Sequence, residues 1–151
     1  RALEVYHQTG RPISEVHAAH RFAEPPKGAY CLIGLRRDRE DLYQRIEQRV
    51  EAQIAKGLIE ETAGLLSAGF SPELPSMRGL GYKQMTRYLR GEQTREEAIA
   101  TLKRDTRHYA KRQMTWFRAD PKIEWIDLRP DEAPEEVADR ILRLKYFKIM
   151  L

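Results

Sequence analysis

The stretch from Thr94 to Arg118 constrains the fold of this chain most, because its pattern is that of one long helix. Thr94 and Glu97 have the spacing of a capping box, in which each side chain accepts a hydrogen bond from the other residue's backbone N–H. Pro121 ends the run, because proline cannot continue a helix. The sequence therefore predicts a long helix that opens near Thr94 and closes before Pro121.

Two neighbouring rows of cations recur along this predicted helix. Residues four apart lie on one face, so two such rows offset by one position share one side of the helix. Only Asp105 opposes them locally. The first row is Lys103, Arg107 and Lys111, the second is Arg104, His108 and Arg112, and the residues left for the buried side are Ile99, Leu102, Tyr109 and Phe117.

The charge is uneven along the 151 residues. The net charge is +4, but residues 78–118 hold eleven Lys and Arg against four Asp and Glu, a local charge of +7, so the remainder carries −3. A basic half beside acidic flanks favours an anionic partner, although a solvated surface helix would show the same pattern. A chain of this length, 41% of it apolar, is expected to form one domain with its own core.

Glycine, proline and capping residues divide the rest of the chain into short elements. Two apolar runs predict buried strands at 29–35 and 123–128. A first helix is predicted up to His7, before Gly10, and a short second helix from Ser14 to Ala19. A third helix follows the N-cap Asp38 and has the apolar stripe Leu42, Ile46, Val50 and Ile54. Further helices are predicted over 58–67 between Gly57 and Gly69, up to Arg90, and over 135–145. The predicted fold class is α/β and helix-dominated, with two short strands and about six helices.

Residues 78–83 (Arg-Gly-Leu-Gly-Tyr-Lys) form the first candidate site. Two glycines permit close backbone approach, and adjacent N–H groups before a helix could cradle a phosphate. The spacing is not that of a Walker loop or a dinucleotide fingerprint. An ordinary turn remains the alternative interpretation.

Two further candidates lie on helices. Trp116 lies near Arg112 and Arg118, and cations beside an aromatic ring suit RNA, in which phosphates are neutralised and unpaired bases stack. The alternative places Trp116 and its aromatic neighbours in the core. Arg49 follows a buried strand and could face a ligand at the strand end, or pair with Glu47 or Glu51 on a solvated face.

The sequence contains few groups for other chemistry. Cys31, the single cysteine, lies in an apolar run, which predicts a small buried side chain and no internal disulfide. Four scattered histidines give no metal-ligand spacing, and we assign no catalytic residue in this chain. There is no signal peptide and no apolar stretch long enough to span a bilayer, so a cytoplasmic location without membrane contact is expected.

Three segments resemble the C-terminal half of the bacterial tRNA dimethylallyltransferases, also called tRNA isopentenyltransferases. They are Arg1-Ala-Leu-Glu with Thr9-Gly10, residues 74–83 (Leu-Pro-Ser-Met-Arg-Gly-Leu-Gly-Tyr-Lys) and residues 106–118 (Thr-Arg-His-Tyr-Ala-Lys-Arg-Gln-Met-Thr-Trp-Phe-Arg). The likeness extends from Arg1 to about Leu128, in the family's order.

The resemblance implies the C-terminal part of a P-loop-kinase-like core. In this scheme residues 1–28 end an inserted helical segment and its connector, 29–128 belong to the core, and 129–151 are a terminal helix and tail. The implied reaction transfers a dimethylallyl group from dimethylallyl pyrophosphate to N6 of the adenosine 3′ of the anticodon. The target base leaves its stack to be modified.

The resemblance also implies partners and site residues. The partners are the tRNA anticodon arm and dimethylallyl pyrophosphate, and the intact protein is expected to be a monomer. Mg²⁺ and nucleotide (ATP) binding are implied as well, with ligands outside this chain. The implied tRNA-binding residues are Arg1, Arg78, Gly79, Leu80, Gly81, Tyr82, Lys83, Lys111, Arg112, Gln113, Met114, Thr115, Trp116, Phe117 and Arg118, and the implied pyrophosphate-binding residue is Arg49.

The likeness covers only part of the family's pattern. The chain starts inside a helical pattern without a methionine, and the family's phosphate-binding loop and carboxylate general base lie upstream of Arg1. We therefore expect a fragment that binds tRNA but does not prenylate it alone. Two alternatives remain: a non-catalytic RNA-binding helical module, and a helical scaffold whose basic face meets an acidic protein.

Overall fold

The structure, a computed structural model, describes residues 2–15 and 31–144. It divides into two compact units, Arg1–Leu32 and Ile33–Leu151. The division of the chain by role into 1–28, 29–128 and 129–151 stays a prediction. Arg1, most of the helix predicted from Ser14, and the end of the last predicted helix lie outside the described residues.

The first unit contains helix α1 (Ala2–Thr9). The Thr9 hydroxyl donates to the Val5 carbonyl, and the Gly10 N–H donates to the Tyr6 carbonyl at 2.8 Å. Gly10 has a φ of 67°, a value that favours glycine, and the predicted helix stop at this residue is confirmed. Cys31, predicted to be buried, is half-buried.

A two-stranded parallel sheet is formed by β1 (Leu32–Arg36) and β2 (Ile123–Asp127), and all of its residues except Leu32 belong to the second unit. Gly34 is required here because a Cβ at this position would lie 2.6 Å from the Trp125 ring. Arg36 holds the ends of the two strands together through two hydrogen bonds to the Asp127 carboxylate, at 2.6 and 2.8 Å. Both predicted strands are present, and the first begins three residues later than expected.

Five helices lie in the described part of the second unit, and several of their ends follow the predicted caps. The Asp38 carboxylate accepts from the Glu40 N–H at 2.8 Å, and Thr94 and Glu97 form the predicted capping box. Gly57 and Gly69, with φ of 95° and 88°, separate and stop two helices. The helices are α2 (Arg39–Ala55), α3 (Leu58–Ser67), α4 (Tyr82–Leu89), α5 (Arg95–Phe117) and α6 (Pro134–Leu142).

The core lies between α2, α4 and α5. Its buried side chains include Val50 and Ile54 from the predicted stripe of α2, Met85 from α4, and Leu102 from α5. Burying each of these large apolar side chains contributes about 1.5–3 kcal/mol. In the described parts of the chain, none of the helices combines the length and apolar content that a membrane span requires.

The second half of α5 departs from the expected burial. Ile99 is half-buried and Leu102 is buried as expected, but Tyr109 and Phe117 are 46% and 41% exposed. The prediction that these two rings face the core is wrong. Spacing shows which residues share a helix face, whereas coverage depends on how far the neighbouring helices extend along α5.

Candidate nucleic-acid interface

The first half of the cation row on α5 is neutralised by α2. The Lys103 ammonium lies 2.6 Å from the Glu51 carboxylate, and the Arg107 guanidinium lies 2.6 Å from the Glu47 carboxylate. Both cations are largely covered, with side chains 23% and 30% exposed. These two members of the predicted basic face therefore hold α2 against α5.

The second half of α5 is different, because its cations face solvent. Lys111, Arg112 and Arg118 are exposed, and among the described residues no carboxylate lies within ion-pair distance of them. The Arg112 guanidinium lies 6.0 Å from the centre of the Tyr109 ring. The uncompensated positive charge of α5 is therefore concentrated in its last two turns.

Aromatic side chains accompany this charge. Trp116 is 64% exposed, and its ring meets that of Phe117 edge-on with centroids 4.8 Å apart. Tyr109 accepts a hydrogen bond from Gln113 at 3.4 Å. The alternative that these rings belong to the core is wrong for this structure. Exposed rings among unneutralised cations are the combination that binds unpaired bases and backbone phosphates.

The turn at residues 78–83 is built differently from the predicted phosphate cradle. The N–H groups of Arg78, Gly79 and Lys83 donate to the carbonyls of Leu74, Ser76 and Gly79, respectively. The expected row of adjacent free donors is therefore not formed. Arg78, Leu80 and Lys83 are exposed side chains, and Arg78 pairs with Glu73.

Two glycines allow this turn to pack tightly. A Cβ at Gly79 would lie 3.2 Å from the Ser76 carbonyl, and Gly81 has a φ of 103° and lies close to the Leu58 side chain. The Tyr82 hydroxyl donates to the Glu61 carboxylate at 2.5 Å, and this hydrogen bond, followed by burial, raises the pKa of Tyr82. The turn is thus fixed to α3, with its polar side chains directed outward.

A buried amide joins the turn to α5. The Gln84 carbonyl oxygen accepts from the Gly81 N–H at 3.0 Å, and its amide nitrogen donates to Asp105 at 2.9 Å. Asp105 precedes Lys111 by six residues, about 9 Å along the helix axis. The two segments implied to bind tRNA therefore belong to one hydrogen-bonded frame.

Arg49 lies elsewhere on α2. It is exposed, and Glu47 and Glu51, its possible partners, bind Arg107 and Lys103 instead. Because residues are about 100° apart around a helix, Arg49 lies about 160° away from Glu47, on the side facing away from α5. The structure therefore does not bring Arg49 together with the cations of α5, and its role in binding pyrophosphate stays a prediction.

The described residues do not fit the implied Mg²⁺ site. Within 2–15 and 31–144, no three carboxylate, histidine or cysteine side chains come together in a way that could hold a metal ion. We therefore derive no step of the reaction through a metal held by this part of the chain.

Sequence reasoning missed a groove between the start of α2 and the end of α5. It has a volume of about 250 Å³ and three arginines and a lysine in its wall. The signal was present in the sequence, since Arg37 and Arg39 directly follow the first predicted strand. The lining residues are Arg37, Arg39, Leu42, Tyr43, Ala110, Lys111, Met114, Thr115 and Arg118.

Comparison with known sequences matches these segments to one family. The family model described as IPP transferase matches residues 1–120. The tRNA dimethylallyltransferase 2 of Geotalea uraniireducens is 57% identical over 128 residues, which are 84% of this chain and 41% of the relative. The tRNA dimethylallyltransferase of Pelotomaculum thermopropionicum is 52% identical over 95% of this chain and 45% of its own length.

Crystal structures give the same result. The full-length tRNA isopentenylpyrophosphate transferase of Bacillus halodurans is 36% identical, superposes with a TM-score of 0.73, and is matched over 91% of this chain and 43% of its own. The corresponding transferase of Staphylococcus epidermidis gives a TM-score of 0.67 at 32% identity. The chain thus spans less than half the length of these relatives.

Proposed function

The chain belongs to the IPP transferase family, and on that premise we propose that it forms the tRNA-binding part of a tRNA dimethylallyltransferase. The observation that carries the proposal is the end of α5, where Lys111, Arg112 and Arg118 are exposed beside the exposed rings of Trp116 and Phe117 and pair with no carboxylate of residues 2–15 and 31–144. Phosphates are bound by such cations, and unstacked bases by such rings.

The proposed reaction forms a bond between N6 of the adenosine and the terminal carbon of the dimethylallyl group. The bond from that carbon to the pyrophosphate oxygen breaks, pyrophosphate leaves with the electron pair, and one proton of the N6 amine passes to a base in the remaining part of the enzyme. Removing the target base from its stack costs a few kcal/mol. Contacts from the end of α5 to the neighbouring phosphates and bases offset this cost, and Arg49 is the residue of this chain that would stabilise the charge growing on pyrophosphate.

The division of labour follows from the residues present. Because we assign no catalytic group within this chain and it spans 41–45% of these curated relatives, we place the activation of the N6 amine in the remaining part of the enzyme. The described chain holds the RNA and presents it. The exposed side chains of the turn at 78–83 extend the same surface.

Substituting Arg112 tests the proposal. Arg112 is exposed, so Arg112→Ala should leave the fold intact and weaken binding of an unmodified anticodon stem-loop about tenfold, the value of one charge-assisted contact. The slope of log affinity against log salt should fall by about 0.7–0.9. The measurement is fluorescence anisotropy of the labelled stem-loop with the 151-residue chain.

Arg95→Ala is the matched control. It removes the same charge from an exposed position at the opposite end of α5, so affinity and slope should stay within twofold of the unsubstituted chain. If Arg112→Ala and Arg95→Ala behave alike, the end of α5 is not the phosphate-binding surface and the proposal is wrong.

A further inference from the structure

The ion pairs between α2 and α5 form a ladder that stops early. Glu51 pairs with Lys103 and Glu47 with Arg107, so a step of four backward along α2 matches a step of four forward along α5. The helices are therefore antiparallel here. The same steps of four would place position 43 opposite Lys111 and position 39 opposite position 115, and all four residues line one groove. Position 43 holds Tyr43 instead of the carboxylate that would continue the ladder, and position 39 holds the cation Arg39 opposite the uncharged Thr115.

The interruption produces a groove with only positive charge in its wall. Arg37 and Arg39 line one side, Lys111 and Arg118 line the other, and no Asp or Glu is among the lining residues. Like charges facing one another across a groove destabilise it unless an anion is bound between them. No described carboxylate in the groove wall offsets this repulsion, so a bound anion would stabilise the groove.

The hydrogen bonds and ion pairs of each cation show which of them are available to bind an anion. Arg37 donates to Asp41 at 3.1 Å and to the Arg129 carbonyl at 3.1 Å, so its charge is already offset. Burial raises the pKa of Asp41, but hydrogen bonds from Arg45 and Arg37 outweigh it and leave that pKa below its usual value. Asp38, directly before Arg39, caps the start of α2, and among the described residues no carboxylate lies within ion-pair distance of Arg39. Arg39 remains available, as do Lys111 and Arg118.

Tyr43 holds Arg39 at the groove. The Arg39 guanidinium lies 5.2 Å from the centre of the Tyr43 ring, and that of Arg107 lies 5.8 Å from it. A ring engaged by two guanidinium groups is poorly available for stacking on a base. The chemistry that the groove offers is accordingly that of a phosphate site rather than a base pocket.

The position of the groove in the fold supports a ligand. Arg37 and Arg39 directly follow β1, at the carboxyl end of a strand in a parallel sheet, and ligands of α/β proteins collect at this edge. Lys111 and Arg118, the opposite wall, belong to the segment proposed above to bind tRNA.

We infer that the groove between α2 and α5 binds a backbone phosphate of the bound RNA, with Arg39 opposing Lys111 and Arg118. This inference rests on the proposed function and adds a second wall to its RNA site. The same chemistry could serve a free pyrophosphate, so the test includes both ligands.

Placing a carboxylate on the missing rung tests the inference. Tyr43→Glu would give Lys111 the partner that its position in the ladder lacks, whereas Tyr43→Gln makes the same change in packing without the charge. We expect Tyr43→Glu to bind an unmodified anticodon stem-loop about tenfold more weakly than Tyr43→Gln. Its thermal midpoint should be equal to or above that of Tyr43→Gln, which separates lost binding from unfolding.

Arg39→Gln provides a second, independent variant, with Arg95→Gln as its control at the far end of α5. Arg39→Gln should lower the salt slope for the stem-loop by about 0.7–0.9, whereas Arg95→Gln should not. Inorganic pyrophosphate is titrated in parallel, and its affinity should be the same for Arg39→Gln and the unsubstituted chain.

The outcomes separate the two proposals. If the unsubstituted chain binds the stem-loop but the Glu and Gln variants at position 43 bind equally, or Arg39→Gln matches Arg95→Gln, the groove inference is overturned and the proposed function stands. If Arg39→Gln weakens pyrophosphate binding alone, the groove belongs to pyrophosphate and the inference is again overturned. If the unsubstituted chain binds no stem-loop, both fail.

Discussion

Trp116 and Trp125 show how the same residue type serves two purposes in one chain. Trp125 lies against Gly34, where a single Cβ would collide with its ring, and the Arg36 guanidinium lies 5.8 Å from the ring centre. Trp116 is mostly exposed at the end of α5. Packing explains the first tryptophan, whereas the second contributes little to the core and suits a ligand.

Alanine substitution should separate these roles. Trp116→Ala should leave the unfolding free energy within about 0.5 kcal/mol and weaken stem-loop binding, because stacking on a base is worth about 1–3 kcal/mol. Trp125→Ala should lower the unfolding free energy by about 2 kcal/mol or more through lost packing. Chemical denaturation and anisotropy titrations measure both effects. Equal loss of stability in the two variants would contradict the assignment.

Glu132 gives the chain a defined dependence on pH. Its side chain is 1% exposed and accepts two hydrogen bonds from Arg140, at 2.7 and 2.8 Å. These bonds, and then the Arg129 N–H, lower the pKa of Glu132. A carboxylate with a depressed pKa stabilises the fold above its unfolded value of about 4.3, and this stabilisation is lost as the pH falls through the folded value.

We therefore expect Glu132→Gln to lower the thermal midpoint at neutral pH, and the gap from the unsubstituted chain to shrink as the pH falls from about 5 to about 3. Circular dichroism melts across that range measure it. The exposed Glu135→Gln, at the start of α6, is the control and should show a small gap at every pH. A gap for Glu132→Gln that does not change with pH would contradict the proposed role of the carboxylate.

At the scale of elements, Gln84 joins the turn at 78–83 to α5. Replacing it with Leu leaves the Gly81 N–H without its acceptor in a largely buried place and removes one donor from the Asp105 carboxylate, which keeps its ion pair with Arg104. The unfolding free energy should fall by about 1–3 kcal/mol. Gln113→Leu, on the exposed part of α5, should change the unfolding free energy by less than about 0.5 kcal/mol. Urea unfolding compares the two, and an equal effect would show that the buried bridge contributes nothing particular.

The helices were the most predictable part of the fold, because their ends depend on local chemistry. The capping box at Thr94, the Asp38 cap and the glycine stop at Gly69 place the ends of α5, α2 and α3. The partners of the side chains on α5 were less predictable. Its cation spacing was read correctly, but only the structure shows that Lys103 and Arg107 meet carboxylates of α2 while Lys111 does not.

One part of the candidate site is predicted from a motif, and another part depends on packing that the sequence does not show. The resemblance predicts the segment 111–118. It does not predict the groove at Arg39, because the groove forms where the antiparallel helices α2 and α5 no longer carry opposite charges. The phosphate cradle that the Gly-x-Gly spacing allows at 78–83 is not formed, for a related reason. Its N–H groups bond to nearby carbonyls, a pairing that a Gly-x-Gly spacing does not reveal.

At the scale of the whole molecule, positive charge is unevenly distributed. The segment 78–118 carries +7 within a chain of +4; among the described residues, carboxylates pair with the middle of α5 and none pairs with the cations at its end. A protein that used this charge only for solubility would have no reason to distribute it so. The central claim is that the end of α5 recognises an anticodon arm, with its unpaired bases, and not merely polyanions.

The most direct measurement compares the affinity of the 151-residue chain for an unmodified anticodon stem-loop and for an RNA duplex of equal length and charge, over a range of salt. Our account predicts tighter binding of the stem-loop at every salt concentration, since only unpaired bases can stack on Trp116. With contacts from Lys111, Arg112 and Arg118, the log–log salt slope should be about −2 or steeper. Equal affinity for the two RNAs, or binding that does not respond to salt, would contradict it.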